Sequence, residues 1–341
     1  MTQTRNLITD VAGLRIGNAH DAALGSGVTV ALFDEPAVAS YCVMGGAPGT
    51  RDTDLLEPDK VVPGVNAIVL SGGSAFGLDA ASGVQAYLRE KGIGFGVGSA
   101  LVPLVPQAIT FDLLNGGNKE WGRYPPYREL GYEAAQTAAQ DFALGTQGGG
   151  YGATTVNLKG GLGSASTTTS SGHTVGALVI VNALASTIIG QGPHFWAGGF
   201  EHGDEFGGLG LPERITPEMR QLDWKGRSRE SPPPVSTTIA LVATDAVLTK
   251  AQAKRLAIVA HDGLARGLRF AHALYDGDTI FAAGTGRKPM QDEAGDLIEI
   301  GALAADCLTR AIARGVYEAT ALPYPDAQPS WRDRYGMDAS P

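Results

Sequence analysis

A threonine hydroxyl becomes a usable nucleophile when a base lies beside it, and a polypeptide can supply that base from its own terminus. Were Thr237 the first residue of a chain, its α-amine, with an ordinary pKa of about 7.7 to 8.0, would take the hydroxyl proton. Such a nucleophile must begin a rigid element and follow a segment that can be given up. The sequence meets both conditions. Thr237-Thr238-Ile239-Ala240-Leu241-Val242-Ala243-Thr244 is the clearest buried-strand pattern in the chain. Before it, Gly190 to Ser236 mixes glycine, proline, charge and isolated aromatics without periodicity and ends in Ser231-Pro232-Pro233-Pro234. The same residues also fit a plainer reading, in which Thr237 and Thr238 are β-branched residues opening a strand.

Other candidates for chemistry carry less. Ser74 follows a strand and precedes a helix, as a nucleophile elbow requires, but Gly72-Gly73-Ser74-Ala75-Phe76 lacks the second glycine of that motif. A serine in such a turn reads as a helix cap. The six histidines are scattered, and His173 stands out only because it precedes a strand near the proposed site. No P-loop, HExxH, EF-hand loop or zinc spacing occurs. Gly92-x-Gly94-x-Gly96 follows a helix, where a dinucleotide fingerprint would follow a strand. The expectation is therefore chemistry with no cofactor and no metal.

The elements that must position Thr237 are legible in outline. Val28 to Phe33 and Ala67 to Leu70 read as buried strands, followed by a helix from about Phe76 to Lys91 that Gly92 stops. Pro126 to Phe142 is a second helix candidate, and Gly145 to Gly190 a glycine-heavy β-rich block containing the strand Val175 to Asn182. After the Thr237 strand, Thr249-x-x-Gln252 forms a capping box opening a helix, and Asp276-Gly277-Asp278 turns into the strand Thr279 to Ala282. A last amphipathic helix carries Ile300, Leu303, Cys307 and Ala311. Helices for both outer layers and strands for the middle suit a layered α+β sandwich.

Composition sets limits. A hydrophobic content of 43% with 18% charged residues describes an ordinary globular enzyme, and 48 glycines are roughly twice the average usage. A formal charge of −9 without a basic stripe argues against a nucleic-acid partner. No apolar run is long enough for a membrane span and no signal peptide is visible, so the reading is a cytoplasmic protein with no membrane partner. Cys42 and Cys307, far apart in sequence, read as reduced thiols, with a disulfide or metal site as the alternative.

The sequence resembles the self-processing L-aminopeptidase/D-esterase family, which includes β-peptidyl aminopeptidases and a nylon-oligomer hydrolase. The resemblance runs through nearly the whole chain. It is carried by Thr9-Asp10-Val11-x-Gly13, Gly45 to Leu56, Leu70 to Leu78, Phe111-Asp112-Leu113, Lys159-Gly160-Gly161, Val175 to Asn182, Thr237-Thr238-Ile239 and Asp276-Gly277-Asp278-Thr279, in that order. It implies a four-layered αββα sandwich of the N-terminal-nucleophile type, one domain over residues 1–341 that cuts itself into pieces 1–236 and 237–341. Thr237 falls at the family's nucleophile, so the cut would lie between Ser236 and Thr237. Asn182 matches the oxyanion asparagine. Lys159 matches a lysine near the nucleophile in the nylon-oligomer branch, and Asp276 and Asp278 match that branch's aspartate pair. Ser236 stands where glycine or asparagine is common, and the aminopeptidase branch has Ser/Glu in place of the two aspartates. The implied activity is hydrolysis of small peptides or amides, without cofactor, by a homo-oligomer, a tetramer. Two other classes remain open: an acyltransferase of the ornithine acetyltransferase type, and an uncut binding protein.

Overall fold

The computed structural model describes residues 4–227 and 236–336. Eleven strands and six α-helices occur among them. The strands are β1 (Leu14–Asp21), β2 (Ser26–Val43), β3 (Thr50–Arg51), β4 (Val65–Ser71), β5 (Phe95–Val97), β6 (Ala100–Val102), β7 (Gln107–Ile109), β8 (Gly161–Thr168), β9 (Thr174–Asn182), β10 (Thr237–Ala246) and β11 (Thr279–Lys288). The helices are α1 (Ser74–Gly77), α2 (Ala80–Glu90), α3 (Tyr127–Gln136), α4 (Lys250–Gly267), α5 (Glu293–Tyr317) and α6 (Trp331–Tyr335).

One long strand makes two layers out of one path. The first part of β2 pairs with β1 and β4, and β4 leads on through β7 to β3. Between Leu32 and Ala37 the register shifts, and residues Val38 to Val43 pair instead with β11. From there the second layer runs β11-β10-β9-β8. Each strand divides its side chains between two faces. On β10, Ile239, Leu241 and Ala243 join Leu178, Ile180, Phe281, Ile68 and Leu70 between the layers. Ala240, Val242 and Ala246 face the other way, against Leu256, Ala260, Leu308 and Ile312 of α4 and α5. A third cluster joins Val30, Leu32 and Val69 to Val84, Leu88 and Leu130 of α2 and α3. Three apolar seams separate four layers, giving the αββα sandwich anticipated from the sequence. No helix among the described residues is long and apolar enough to cross a membrane.

Several boundaries differ from the sequence reading. The helix expected over Phe76 to Lys91 is two pieces, broken around the half-buried Leu78. The one expected over Pro126 to Phe142 stops at Gln136, because Ala139 turns to exchange both backbone hydrogen bonds with Ile16 of β1. Ser74 does not cap α1: the cap position is Gly73, and no side chain bonds there. The capping box of α4 is present in both halves, Thr249 accepting from the Gln252 amide and Gln252 from the Thr249 amide. Cys42 and Cys307 are both free thiols.

The aperiodic segment from Gly190 is not loose where it is described. Phe195, Ala197 and Phe206 are buried in the core under α5, and Phe195 stacks on Trp331 with ring centroids 5.7 Å apart. Glu205 pairs with the buried Arg310 at 2.6 Å. Isolated aromatics and a single carboxylate thus moor the segment without any repeating pattern. The Ser231-Pro232-Pro233-Pro234 run lies outside the described residues.

Candidate active site

Thr237 is the first residue of β10, and its neighbours follow from strand register. Asn182, the last residue of β9, is its antiparallel partner. On the other side, parallel pairing sets Ser236 beside Asp276 and Ile239 beside Thr279, so Gly277 falls alongside Thr237. Alternation sends Thr237 and Asn182 into the space between the layers, at one end of the apolar seam. Both are buried, Thr237 at 3% exposure.

The bond between Ser236 and Thr237 is held by hydrogen bonds from both sides. The Thr237 hydroxyl donates to the Ser236 carbonyl oxygen at 2.5 Å, and the Gly277 amide donates to the same oxygen at 3.1 Å. Only glycine fits at 277. A Cβ there would sit 2.7 Å from Thr237 Oγ1 and 2.8 Å from the Ala47 carbonyl oxygen. The Gly45-Gly46-Ala47 motif packs against this segment, the Ala47 amide donating to the Asp276 carbonyl at 2.7 Å. The Ser236 hydroxyl donates to the Asn182 carbonyl at 2.8 Å.

Asn182 is fixed at both ends of its amide. Oδ1 accepts from the Thr154 amide at 3.0 Å and from Lys225 Nζ at 3.2 Å, while Nδ2 donates to the Phe111 carbonyl at 2.9 Å. Asp278 secures the backbone next to Thr237: Oδ1 accepts from the Thr238 amide at 3.0 Å, and Oδ2 from the His272 amide at 2.8 Å. His272 Nδ1 lies 3.0 Å from that same Oδ2. Asp276 has a buried Oδ1 with no partner among the described residues. Burial pushes its carboxyl up to about 7, the adjacent Asp278 adding to the rise and Lys225 and His272 opposing it.

Lys159 is placed differently from the other four. Its ammonium donates to the carbonyls of Gly150, Ala153 and Gly160 at 3.0, 2.9 and 2.8 Å, and none of these bonds goes to Thr237. Burial pulls its pKa down to about 7, against the attraction of Asp112. Asp112 accepts from the Ser26 hydroxyl and from the Gly73 amide beneath the Ser71-Gly72-Gly73-Ser74 turn. The structure therefore gathers Asn182, Ser236, Thr237, Asp276 and Asp278 directly, with Lys159 one layer of backbone away. His173 is at the wrong end of β9. It precedes Thr174, whereas Asn182 closes the strand, and it sits between Asp245 and Asp296 at 3.6 and 3.7 Å. Among the described residues no group of His, Cys, Asp and Glu could hold a metal ion.

Sequence reasoning missed Lys225 and the Gly277 amide. The glycine between two acids was a possible signal for the second. Lys225 sits in the aperiodic segment, and nothing in its surrounding residues marks it.

Two hollows reach this region. One of about 170 Å³ touches Thr237 and Ser236 and is lined by Ala47, Pro48, Ser74, Ile109, Phe111 and Tyr275. Ser74, at φ 51°, lines it without a histidine among the lining residues. The other, a cleft of about 340 Å³, is lined by Phe111, Asp112, Thr154, Thr155, Lys225 and Gln328 among others.

The sequence pattern of peptidase family S58 matches residues 6–328. The chain belongs to that family. It is 41% identical over 348 residues to an uncharacterized aminopeptidase of Mycobacterium tuberculosis, covering 97% of this chain and 98% of that one. It is 25% identical to the 6-aminohexanoate-oligomer endohydrolase of a Kocuria species, over 83% of this chain and 76% of that one. In three dimensions it superposes on the L-aminopeptidase D-Ala-esterase/amidase of Ochrobactrum anthropi with a TM-score of 0.68 at 20% identity, covering 98% and 93% of the two chains. That protein is described as a variant of the Ntn hydrolase fold, and the likeness establishes the fold of this chain. The S58 member described here is an amide- or peptide-bond hydrolase.

Two expectations follow from the geometry. Gly277→Ala forces Thr237 aside, and a displacement of that order lowers amide hydrolysis by about 100-fold; steady-state assays on purified variant and parent check it. The second concerns pH. Because the folded chain holds the Asp276 proton more tightly than the unfolded chain, Asp276 stabilises the fold at low pH, and this contribution is lost as pH rises to about 7. Asp276→Asn removes that slope. The change in Tm between about pH 5 and about pH 8 becomes more positive in the variant than in the parent, as calorimetry at fixed protein concentration reads.

Proposed function

We propose that this S58 hydrolase cuts itself between Ser236 and Thr237 and then uses Thr237 as an N-terminal nucleophile on small amides and short peptides. The observation that carries the reading is the contact of the Thr237 hydroxyl with the carbonyl of the residue before it, at a carbonyl oxygen that also accepts from the Gly277 amide. In the cut, Thr237 Oγ adds to the Ser236 carbonyl carbon, water carries its proton to the Thr237 nitrogen, and the Gly277 N–H meets the charge on the oxygen. The C–N bond then breaks, the Thr237 nitrogen becomes a free amine, and Ser236 is left as an ester on Oγ. Water hydrolyses the ester to the Ser236 carboxylate and restores the hydroxyl.

Turnover repeats the chemistry on an external amide. The new amine accepts the Oγ proton, Asn182 Nδ2 donates to the oxyanion, the leaving amine is protonated, and water releases the acid. The raised Asp276 carboxyl, about 7, removes one negative charge that would hold the Thr237 amine in its ammonium form. Asp278 acts through the Thr238 amide, holding the strand end in register.

The hollow beside Thr237 is small and mostly apolar, which favours a short acyl side chain or an unbranched methylene chain. This supports substrates of the kinds named for the relatives: N-terminal residues of peptides, or ω-amino-acid oligomers such as those of 6-aminohexanoate. The test of processing is the purified protein itself. Two pieces, the smaller beginning Thr237-Thr238-Ile239 by N-terminal sequencing, are expected, and Thr237→Ala gives one intact, folded and inactive chain. A fully active uncut chain would exclude the reading.

A further inference from the structure

Lys225 lies twelve residues before Thr237, in the segment on the other side of the proposed cut. Its side chain is half-buried, its ammonium has three donors, and three acceptors surround it. These are the Thr154 carbonyl at 2.8 Å, Asn182 Oδ1 at 3.2 Å and Ser236 Oγ at 3.3 Å. The consequence falls on Asn182. A side-chain amide can turn over, exchanging its acceptor for its donors, at little cost when its partners allow either orientation. Here Oδ1 faces two donors, the Thr154 amide and Lys225, and a turned amide would set its own N–H groups against them. The orientation that remains commits one N–H of Nδ2 to the Phe111 carbonyl and leaves the other with no partner among the described residues. Ser236 is held by the same ammonium, and its hydroxyl in turn bonds the Asn182 carbonyl.

We propose that Lys225 is a positioning residue for the reaction at Thr237, fixing the Asn182 amide with its N–H groups toward the nucleophile and holding the Ser236 side of the bond to be cut. The inference rests on the reading of Thr237 and Asn182 given above. Lys225 acts through Asn182 and Ser236, and its charge also closes one wall of the larger cleft. It faces Asp276 electrostatically, and burial lowers its pKa to about 7 despite that attraction.

The test is a double-mutant cycle on the intact chain. Parent, Lys225→Met, Asn182→Ala and the double variant are purified early after expression. The first-order appearance of the piece beginning at Thr237 is followed on gels, and kcat and KM on an aminoacyl amide are measured for whatever has matured. Loss of a charged hydrogen bond predicts that Lys225→Met slows the cut and lowers kcat by about 10- to 100-fold, with KM changed by less than about twofold. In the Asn182→Ala background the same substitution adds less than about twofold, because its target is gone. If Lys225→Met does not fold, Lys225→Gln carries the same cycle. Multiplicative losses, parent-like rates, or a raised KM with unchanged kcat would each overturn the role assigned to Lys225. A parent that is never cut would instead overturn the underlying reading of Thr237.

Discussion

The site depends on one constraint of register. β10 is held antiparallel to β9 and parallel to β11, so its first residue cannot shift along either neighbour without carrying apolar side chains to the wrong face. Ile239, Leu241 and Ala243 fill the seam between the layers while Ala240, Val242 and Ala246 fill the seam under α4 and α5. A slip of one residue would exchange the two sets. The apolar pattern of the strand therefore fixes Thr237 between Asn182 and Gly277, in a position set by packing. The Gly45-Gly46 motif and Gly277 are the local cost of this closeness, since backbone approaches backbone where a Cβ would collide.

At the end of that apolar seam sits an unusually polar pocket. Asn182, Ser236, Asp276, Asp278 and Lys159 are buried there, and Lys225 is half-buried beside Asn182 and Ser236. Burial disfavours charge, which is why both lysines are pulled down and Asp276 is pushed up. The groups differ in how they are satisfied. Lys159 is spent on three carbonyls and braces the Gly150 to Gly160 loop. Asp278 has its oxygens taken by the Thr238 and His272 amides and the His272 ring. Asp276 Oδ1 is left without a partner among the described residues.

Much of this was legible in the sequence because local chemistry determined it. The run from Thr237 is a continuous apolar strand and the Thr249-x-x-Gln252 box specifies its helix start, whereas Asp276-Gly277-Asp278, expected to turn, extends the parallel pairing ahead of β11 and leaves the turn to Leu274 and Tyr275. What escaped was set by distant contacts. β2 passes from one layer to the other through a register shift that no residue type announces. The helix after Pro126 ends early because β1 claims its next residues. The segment after Gly190 has no period, yet Phe195, Phe206 and Glu205 each find one buried partner, and Lys225 finds three. A single lysine that acts by reaching across the fold leaves no spacing to read.

The central claim is that Thr237 Oγ is the atom acylated. Purified protein incubated with a slowly hydrolysed aminoacyl ester, quenched in acid and digested, reports the acylated residue by peptide mass spectrometry. The account predicts a single acyl group on the hydroxyl of Thr237, in a peptide whose amino terminus is Thr237 itself. An acyl group found on Ser74, which lines the same small hollow, or on an internal uncut Thr237, would contradict it.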